Sequence, residues 1–248
     1  MKSLLSENQI VRFEKQILLK EIGVIGQKKL LKSKILIIGV GGLGCPIVDI
    51  LSRAGVGEIG IVDNDVVSLS NIHRQTLFDN NDLGKSKVSV VKNKVKKINS
   101  EIKVKIFKKK INFNNVNLIG KNFDYIIDGS DNFKTKLLLN DYCRNKKKKF
   151  ISGAVSKFDG HVFSFNFKKK NSPCLRDFFQ NIEIDGDFFN CEEDGVVGTL
   201  SSIIGNIQAN EVLKRILDIG TCLENEVLIV NILNLNLRKV KIKSLKNS

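Results

Sequence analysis

The stretch ILIIGVGGLGCP, Ile35–Pro46, is a run of apolar residues that ends in four glycines, Gly39, Gly41, Gly42 and Gly44. An apolar run without alternation reads as a strand of the parallel-sheet kind, buried on both faces. Gly39, Gly41 and Gly44 fit the spacing G-x-G-x-x-G. That spacing turns a chain tightly and lets phosphates approach backbone N–H groups at a helix N-terminus. A helix is predicted over 43–54 and a second strand, EIGIVDND, over 58–65. Its acid, Asp63, comes 19 residues after Gly44 and is placed to accept hydrogen bonds from ribose hydroxyls. Glycines that served only to pack a helix against a strand would not need that acid in register. The loop by itself suits a dinucleotide as well as ATP.

Outward from this unit the order is β-α-β-α. Apolar positions at helical spacing (Ile10, Phe13, Ile17, Leu18) put one or two short helices within 7–31. Residues 84–98 read as a helix, 102–107 as a strand, and FDYIIDGSD, 123–131, as a strand ending in polar residues. A helix over 132–145 and a strand over 149–153 follow. The implied architecture is α/β: a Rossmann-like sheet with helices on both faces and right-handed crossovers. After residue 153 the pattern alternates, GHVFSFNFKK, as a hairpin strand does. Residues 171–194 carry no clear periodicity and read as a long loop. A glycine-containing helix over 196–217 and two strands, about 226–232 and 235–242, close a mixed sheet. We expect a single domain over 1–248, with N-terminal helices (7–31), a nucleotide-binding half (34–153) and a second half (154–248).

The chain has 248 residues, no apolar run of the ~20 residues that a membrane helix needs, and no signal-peptide pattern at its N-terminus. A cytoplasmic location is therefore expected. Five cysteines at unpaired spacings read as reduced thiols. The net charge of +15 comes mostly from lysine runs such as Lys108–Lys110, Lys146–Lys149 and Lys168–Lys170. Such runs usually face water, and the abundance of Lys, Asn and Ile fits compositional drift. No aromatic residues interleave with them, which argues against nucleic-acid binding.

The segment after the second strand separates the nucleotide readings. DNDVVSLSNIHRQTLF, Asp63–Phe78, holds Ser70, Asn71, His73, Arg74 and Gln75, and LGKSK adds Lys85 and Lys87. A basic cluster beside the phosphate site suits a triphosphate, because Arg and Lys there can hold the β- and γ-phosphates and the departing pyrophosphate. Asp131 falls at the carboxyl edge of the sheet, where ligands of α/β folds bind. A lone carboxylate facing phosphates suits Mg²⁺; the same residue could instead cap the helix over 132–145. Asp128, inside the strand, reads as structural.

Together GVGGLGCP, AGVGEIGIVDND, SLSNIHRQ, GKSK, IIDGSDN and DGVVGTLSSIIGNIQANEVLK resemble the ThiF/MoeB family of adenylyltransferases over about residues 8–240. The resemblance implies ATP-dependent adenylylation of the C-terminal glycine of a ubiquitin-like sulfur carrier, either the molybdopterin-synthase small subunit or the thiamine carrier. A sulfur donor protein in trans then displaces AMP. It further implies that Gly39, Gly41, Gly42 and Gly44 hold the nucleotide, Asp63 the ribose, and Ser70, Asn71, Arg74 and Lys87 the phosphates. Asp131 would position Mg²⁺, with Asn132 beside it. The family pattern is also a homodimer in which an N-terminal arginine enters the partner's site. RFEKQ places Lys15 there, keeping the charge without the bidentate fork.

Two further departures matter. Many members bind zinc through two C-x-x-C pairs. Here CLRD offers Cys174 and Asp177, and no cysteine follows Cys222. Structural zinc wants four N/S ligands, so no zinc is expected. Cys191 aligns with a loop cysteine that can bond to the carrier in the thiamine branch, but Glu192, Glu193 and Asp194 would disfavour its thiolate. The rival functions are adenylation of tRNA or a peptide by a related branch, and an NAD-dependent oxidoreductase. The latter leaves Arg74, Lys87 and Asp131 without work.

Overall fold

A computed structural model describes residues 5–179 and 195–244 of the chain. In chain order the elements are α1 (Glu7–Ile17), α2 (Gly23–Lys32), β1 (Lys34–Ile38), α3 (Gly44–Arg53), β2 (Glu58–Val62), α4 (Lys87–Ile98), β3 (Lys103–Phe107) and α5 (Phe113–Gly120). Then come β4 (Tyr125–Asp128), α6 (Phe133–Asn145), β5 (Lys149–Ser156), β6 (Asp159–Asn166), α7 (Leu175–Phe178), α8 (Gly198–Leu217), β7 (Glu226–Asn231) and β8 (Asn236–Lys241). The eight strands form one sheet in the order β3-β2-β1-β4-β5-β6-β7-β8. The pairs from β3 through to β5 are parallel, and those from β5 through to β8 are antiparallel. This is the mixed, Rossmann-like α/β sheet that the pattern implied.

The apolar run lies at the centre. Ile35 and Ile37 enter one core with Ile47, Val48 and Leu51 of α3, Val88, Val91 and Val95 of α4 and Val212 of α8. Leu36 and Ile38 enter the other, with Val116 and Ile119 of α5 and Leu137 of α6. Both faces of β1 are covered, which is why its sequence does not alternate. Each such side chain contributes roughly 1.5–3 kcal/mol on burial.

Helix α1 is started by a capping box, with Gln9 N donating to Ser6 Oγ and Ser6 N donating to Gln9 Oε1, both 3.2 Å. It docks through Arg12, which donates to Ile98 O (2.8 Å), and Gln16, which donates to Ala54 O (3.1 Å). Those acceptors lie at the ends of α4 and α3, just before β3 and β2 begin. Helix α1 therefore sits at the amino edge of the parallel strands.

Some expected boundaries shift. Helix α4 begins at Lys87 instead of 84, because Val67 N donates to Lys85 O and Val66 bridges Ser86, which holds 84–86 out of the helix. β4 stops at Asp128, so Ser130 and Asp131 lie on the loop beyond it. β5 runs on to Ser156 and joins β6 through a two-residue turn with Lys157 at φ 53°. The region read as a loop from 171 contains the short helix α7. Helix α5 was not expected at all; Asn112 caps it, accepting from Asn114 N and Asn115 N.

Candidate nucleotide-binding site

The strand order reverses at β1: α3 leads from it to β2 on one side, while α5 crosses over to place β4 on the other. Crevices outside the carboxyl ends of strands form at such points. Here the two loops that frame the crevice are Gly39–Leu43 and Gly129–Asn132. They touch closely. A Cβ on Gly39 (φ +81°) would lie 2.8 Å from Gly129 O, and one on Gly44 would lie 2.1 Å from Gly39 O. Only glycine permits this turn. Between the loops is a cavity of about 420 Å³.

Of the sequence-predicted residues, Gly39, Gly41, Gly42, Asp63, Arg74, Lys87, Asp131 and Asn132 line this cavity. The Asp63 carboxylate accepts from Val40 N (2.9 Å) through Oδ2 and from Asp65 N (2.8 Å) through Oδ1. It is thus fixed beneath the glycine turn, with lone pairs left for a ribose. Lys87, the first residue of α4, is buried, and its Nζ lies 3.0 Å from Asp65 Oδ2. Arg74 is half-buried; its Nη1 donates to Ser70 O (2.8 Å) and lies 2.9 Å from His73 Nε2. His73 is therefore a local partner of the guanidinium.

Ser70, Asn71 and Gly44 are absent from the cavity wall. Ser70 works through its carbonyl on Arg74, and its hydroxyl lies 3.0 Å from Ser68 Oγ. Asn71 Oδ1 accepts from Ser68 N (3.2 Å), capping the short helical turn Leu69–Asn71 that carries Arg74 forward. Gly44 starts α3 and packs beneath the loop. The capping alternative for Asp131 is corrected: the N-cap of α6 is Asn132, whose Oδ1 accepts from Thr135 N (2.9 Å). That leaves Asp131 exposed at the cavity edge, with no ion pair to any cation among the described residues.

Three features escaped the sequence reading. The Lys108–Lys110 run was expected to be only a solvated face, yet Lys109 and Lys110 line the cavity while remaining exposed. Ser201 of α8 faces Gly42, its Oγ 3.0 Å from where a Cβ would stand. Gly198, at the start of the same helix, packs on His73 O. Below the cavity, buried Lys136 donates to Asp128 Oδ2 (3.0 Å), Ser130 O (2.7 Å) and Gly153 O (2.6 Å). Asp128 also accepts from Ser130 N, Ser130 Oγ and Ser152 Oγ. This network ties β4, β5 and α6 to the loop that carries Asp131. The only sequence signal was an acid inside a strand and a lysine on the first turns of the next helix.

Lys15 is exposed and pairs with Glu14 on the same helix, at the amino edge of the sheet and so away from its own cavity. Cys191 and the acids after it lie outside the described residues. The described cysteines have poor nucleophile environments: burial pushes the Cys45 thiol up to about 12 and raises those of Cys143, Cys174 and Cys222. Asp177 Oδ2 accepts from Cys174 N (2.8 Å), and Arg144 Nη1 lies 3.6 Å from Cys174 Sγ. Among the described residues no group of three or more His, Cys, Asp or Glu could hold a metal.

The sheet order, the glycine turn at the switch point and the charged cavity define a Rossmann-like nucleotide-binding protein. The chain belongs to the ThiF family, whose model matches residues 13–248. It is 39% identical over 96% of its length to a probable molybdopterin-synthase adenylyltransferase of Porphyra purpurea, and it spans 62% of that protein. It is 32% identical over 96% of its length to a sulfur carrier protein adenylyltransferase of Thermus thermophilus, spanning 89% of that one. Among solved structures, E. coli MccB with MccA-N7isoASN is similar in fold, with a TM-score of 0.84, 21% identity and coverage of 97% of this chain and 73% of MccB.

Proposed function

We propose that this chain is an adenylyltransferase that uses ATP to activate the C-terminal glycine of a ubiquitin-like sulfur carrier. The observation that carries the reading is the meeting of Arg74, Lys87 and Asp131 around one glycine turn. The functions named for the Porphyra and Thermus relatives support it, and the former favours the molybdopterin-synthase carrier over the thiamine carrier.

The chemistry suits these residues. One carboxylate oxygen of the carrier attacks the α-phosphorus, the bond to the β-phosphate bridging oxygen breaks, and pyrophosphate leaves with that electron pair. The nucleophile is already an anion at neutral pH, so no general base is required. The obstacle is bringing an anion to a polyanion, and preorganised positive charge lowers it. Arg74 and Lys87 hold the phosphates, and Asp63 fixes the ribose. Lys87 must exchange Asp65 for phosphate oxygens when nucleotide enters. The exposed Asp131 carboxylate, free of ion pairs among the described residues, fits Mg²⁺, which takes few protein ligands. When bound, that ion would offset phosphate charge. A sulfur donor protein then displaces AMP.

Exchange of labelled pyrophosphate into ATP, assayed with each purified carrier in turn, tests the reading. Exchange that depends on one carrier supports it. A melting temperature raised by NAD and unmoved by ATP, with no exchange, would favour an oxidoreductase.

We further infer a homodimer in which Lys15 reaches the partner's cavity. Its place at the amino edge supports this, as do the exposed Ile10, Val11, Leu18 and Leu19 beside it. Mixing Lys15→Ala with Arg74→Ala protein should restore activity to roughly a quarter of wild type, because mixed dimers keep one complete site. No restoration on mixing would place Lys15 outside the chemistry.

Zinc has no place in this reading, because Asp177 stands where the first pair would have its second cysteine and is committed to a backbone N–H. Elemental analysis of purified protein should find zinc well below stoichiometric, and an EDTA wash should leave the melting temperature unchanged. One zinc per chain would overturn this.

A further inference from the structure

Beside the cavity, the carboxyl edge of the sheet carries an exposed apolar strip. The cavity wall on that side is formed by Val155 of β5 and by Val196. Backbone bonds lead outward from it: Lys157 N donates to Gly195 O (2.9 Å), and Ile232 N donates to Phe158 O (3.0 Å). The β5–β6 turn and the β7–β8 turn are thereby held side by side next to the cavity mouth. Phe158 there is 42% exposed, and Leu233, Leu235 and Leu237 are 66%, 81% and 60% exposed. Folding does not call for these leucines. Asparagines make the β7–β8 turn: Asn231 Oδ1 accepts from Asn234 N (3.0 Å), and Asn231 pairs with Asn236. Leu235 has φ 51°, in the left-handed region that suits glycine or asparagine and strains leucine. Large apolar side chains grouped on a surface mark interaction sites.

We propose that this strip seats the globular body of the carrier whose C-terminal tail enters the cavity. The identity of the partner rests on the adenylyltransferase reading. Continuity with the cavity selects this occupant, because a tail that reaches the cavity leaves its folded body just outside the mouth. Neighbouring strands lie about 4.8 Å apart, so β7 stands within about 10 Å of the β5 wall, a span that three or four extended residues cross. Arg238, Lys239 and Lys241 of β8 are exposed beyond the leucines. The carrier face that fits is therefore apolar at its centre and acidic at its edge.

The test is the triple variant Leu233→Ser, Leu235→Asn and Leu237→Thr, with the purified molybdopterin-synthase small subunit as probe. Calorimetry without nucleotide should show carrier affinity reduced about tenfold or more, the scale of losing a hydrophobic anchor cluster. ATP affinity should stay within twofold of wild type. The melting temperature should match or exceed that of wild type, because the side chains are exposed and asparagine suits residue 235. Leu235→Asn alone, which relieves strain, should still weaken carrier binding about threefold. Carrier affinity within twofold of wild type in the triple variant overturns the proposal, as does wild-type protein that does not bind this carrier. A triple variant that changes oligomeric state in sedimentation while keeping carrier affinity also overturns it, and makes the strip a contact between copies. Wild-type protein that binds the carrier through these leucines without any pyrophosphate exchange would support the docking and refute the adenylyltransferase reading.

Discussion

Replacing Arg74 or Asp131 with alanine is expected to abolish carrier-dependent pyrophosphate exchange, by at least about a hundredfold in each case, the scale of losing one preorganised charged donor. The two act on opposite signs of the same problem. Arg74 lines the glycine side of the crevice, oriented by Ser70 O and His73, where it would meet phosphate charge. Asp131 stands on the opposite loop, exposed and free of ion pairs among the described residues. Neither side chain contributes to a core, so both variants should melt within a few degrees of wild type. Arg74→Lys keeps charge but loses the planar fork and should recover only part of the activity. Near-normal exchange in both alanine variants would refute the assignment of this cavity to the chemistry.

The second large effect is on stability. Lys136→Met should cost about 3–5 kcal/mol in denaturant unfolding, because it leaves the fully buried Asp128 carboxylate without its cation. The loss arises from the orphaned charge more than from the missing bond. The double variant Asp128→Asn with Lys136→Met should therefore be less destabilised than the single one, as a double-mutant cycle will report. A single variant that loses less than about 1 kcal/mol would show that the pair contributes little. Since Lys136 bonds Ser130 O, the residue next to Asp131, any folded single variant should also need more Mg²⁺ for half-maximal exchange.

Most of the parallel half was legible from residue type alone. Ile35–Ile38 lacked alternation because helices cover both faces, and Gly39 and Gly44 announced a tight turn. Charge clustered near Arg74 and Lys87 could be read along the chain because both lie within one excursion after β2. What could not be read depends on distance across the fold. Ser201 reaches Gly42 from a helix 159 residues further on. Lys109 and Lys110 look like any solvated run until β3 is seen to end beside the cavity. Helix α5 was missed because eight residues rich in asparagine carry little periodicity; its Asn112 cap and the burial of Val116 and Ile119 make it a helix. Asp131 was the candidate cap by sequence, and only the backbone shows that Asn132 takes that place.

We propose that this cavity joins AMP to a protein's C-terminal carboxylate. It is tested most directly by the intact mass of a sulfur carrier incubated with the enzyme, MgATP and pyrophosphatase, with no sulfur donor. The expected result is a carrier heavier by one adenylyl group, which hydroxylamine removes, and no change in a carrier lacking its terminal glycine. A carrier of unchanged mass while ATP is consumed, or AMP found on the enzyme instead, would contradict it.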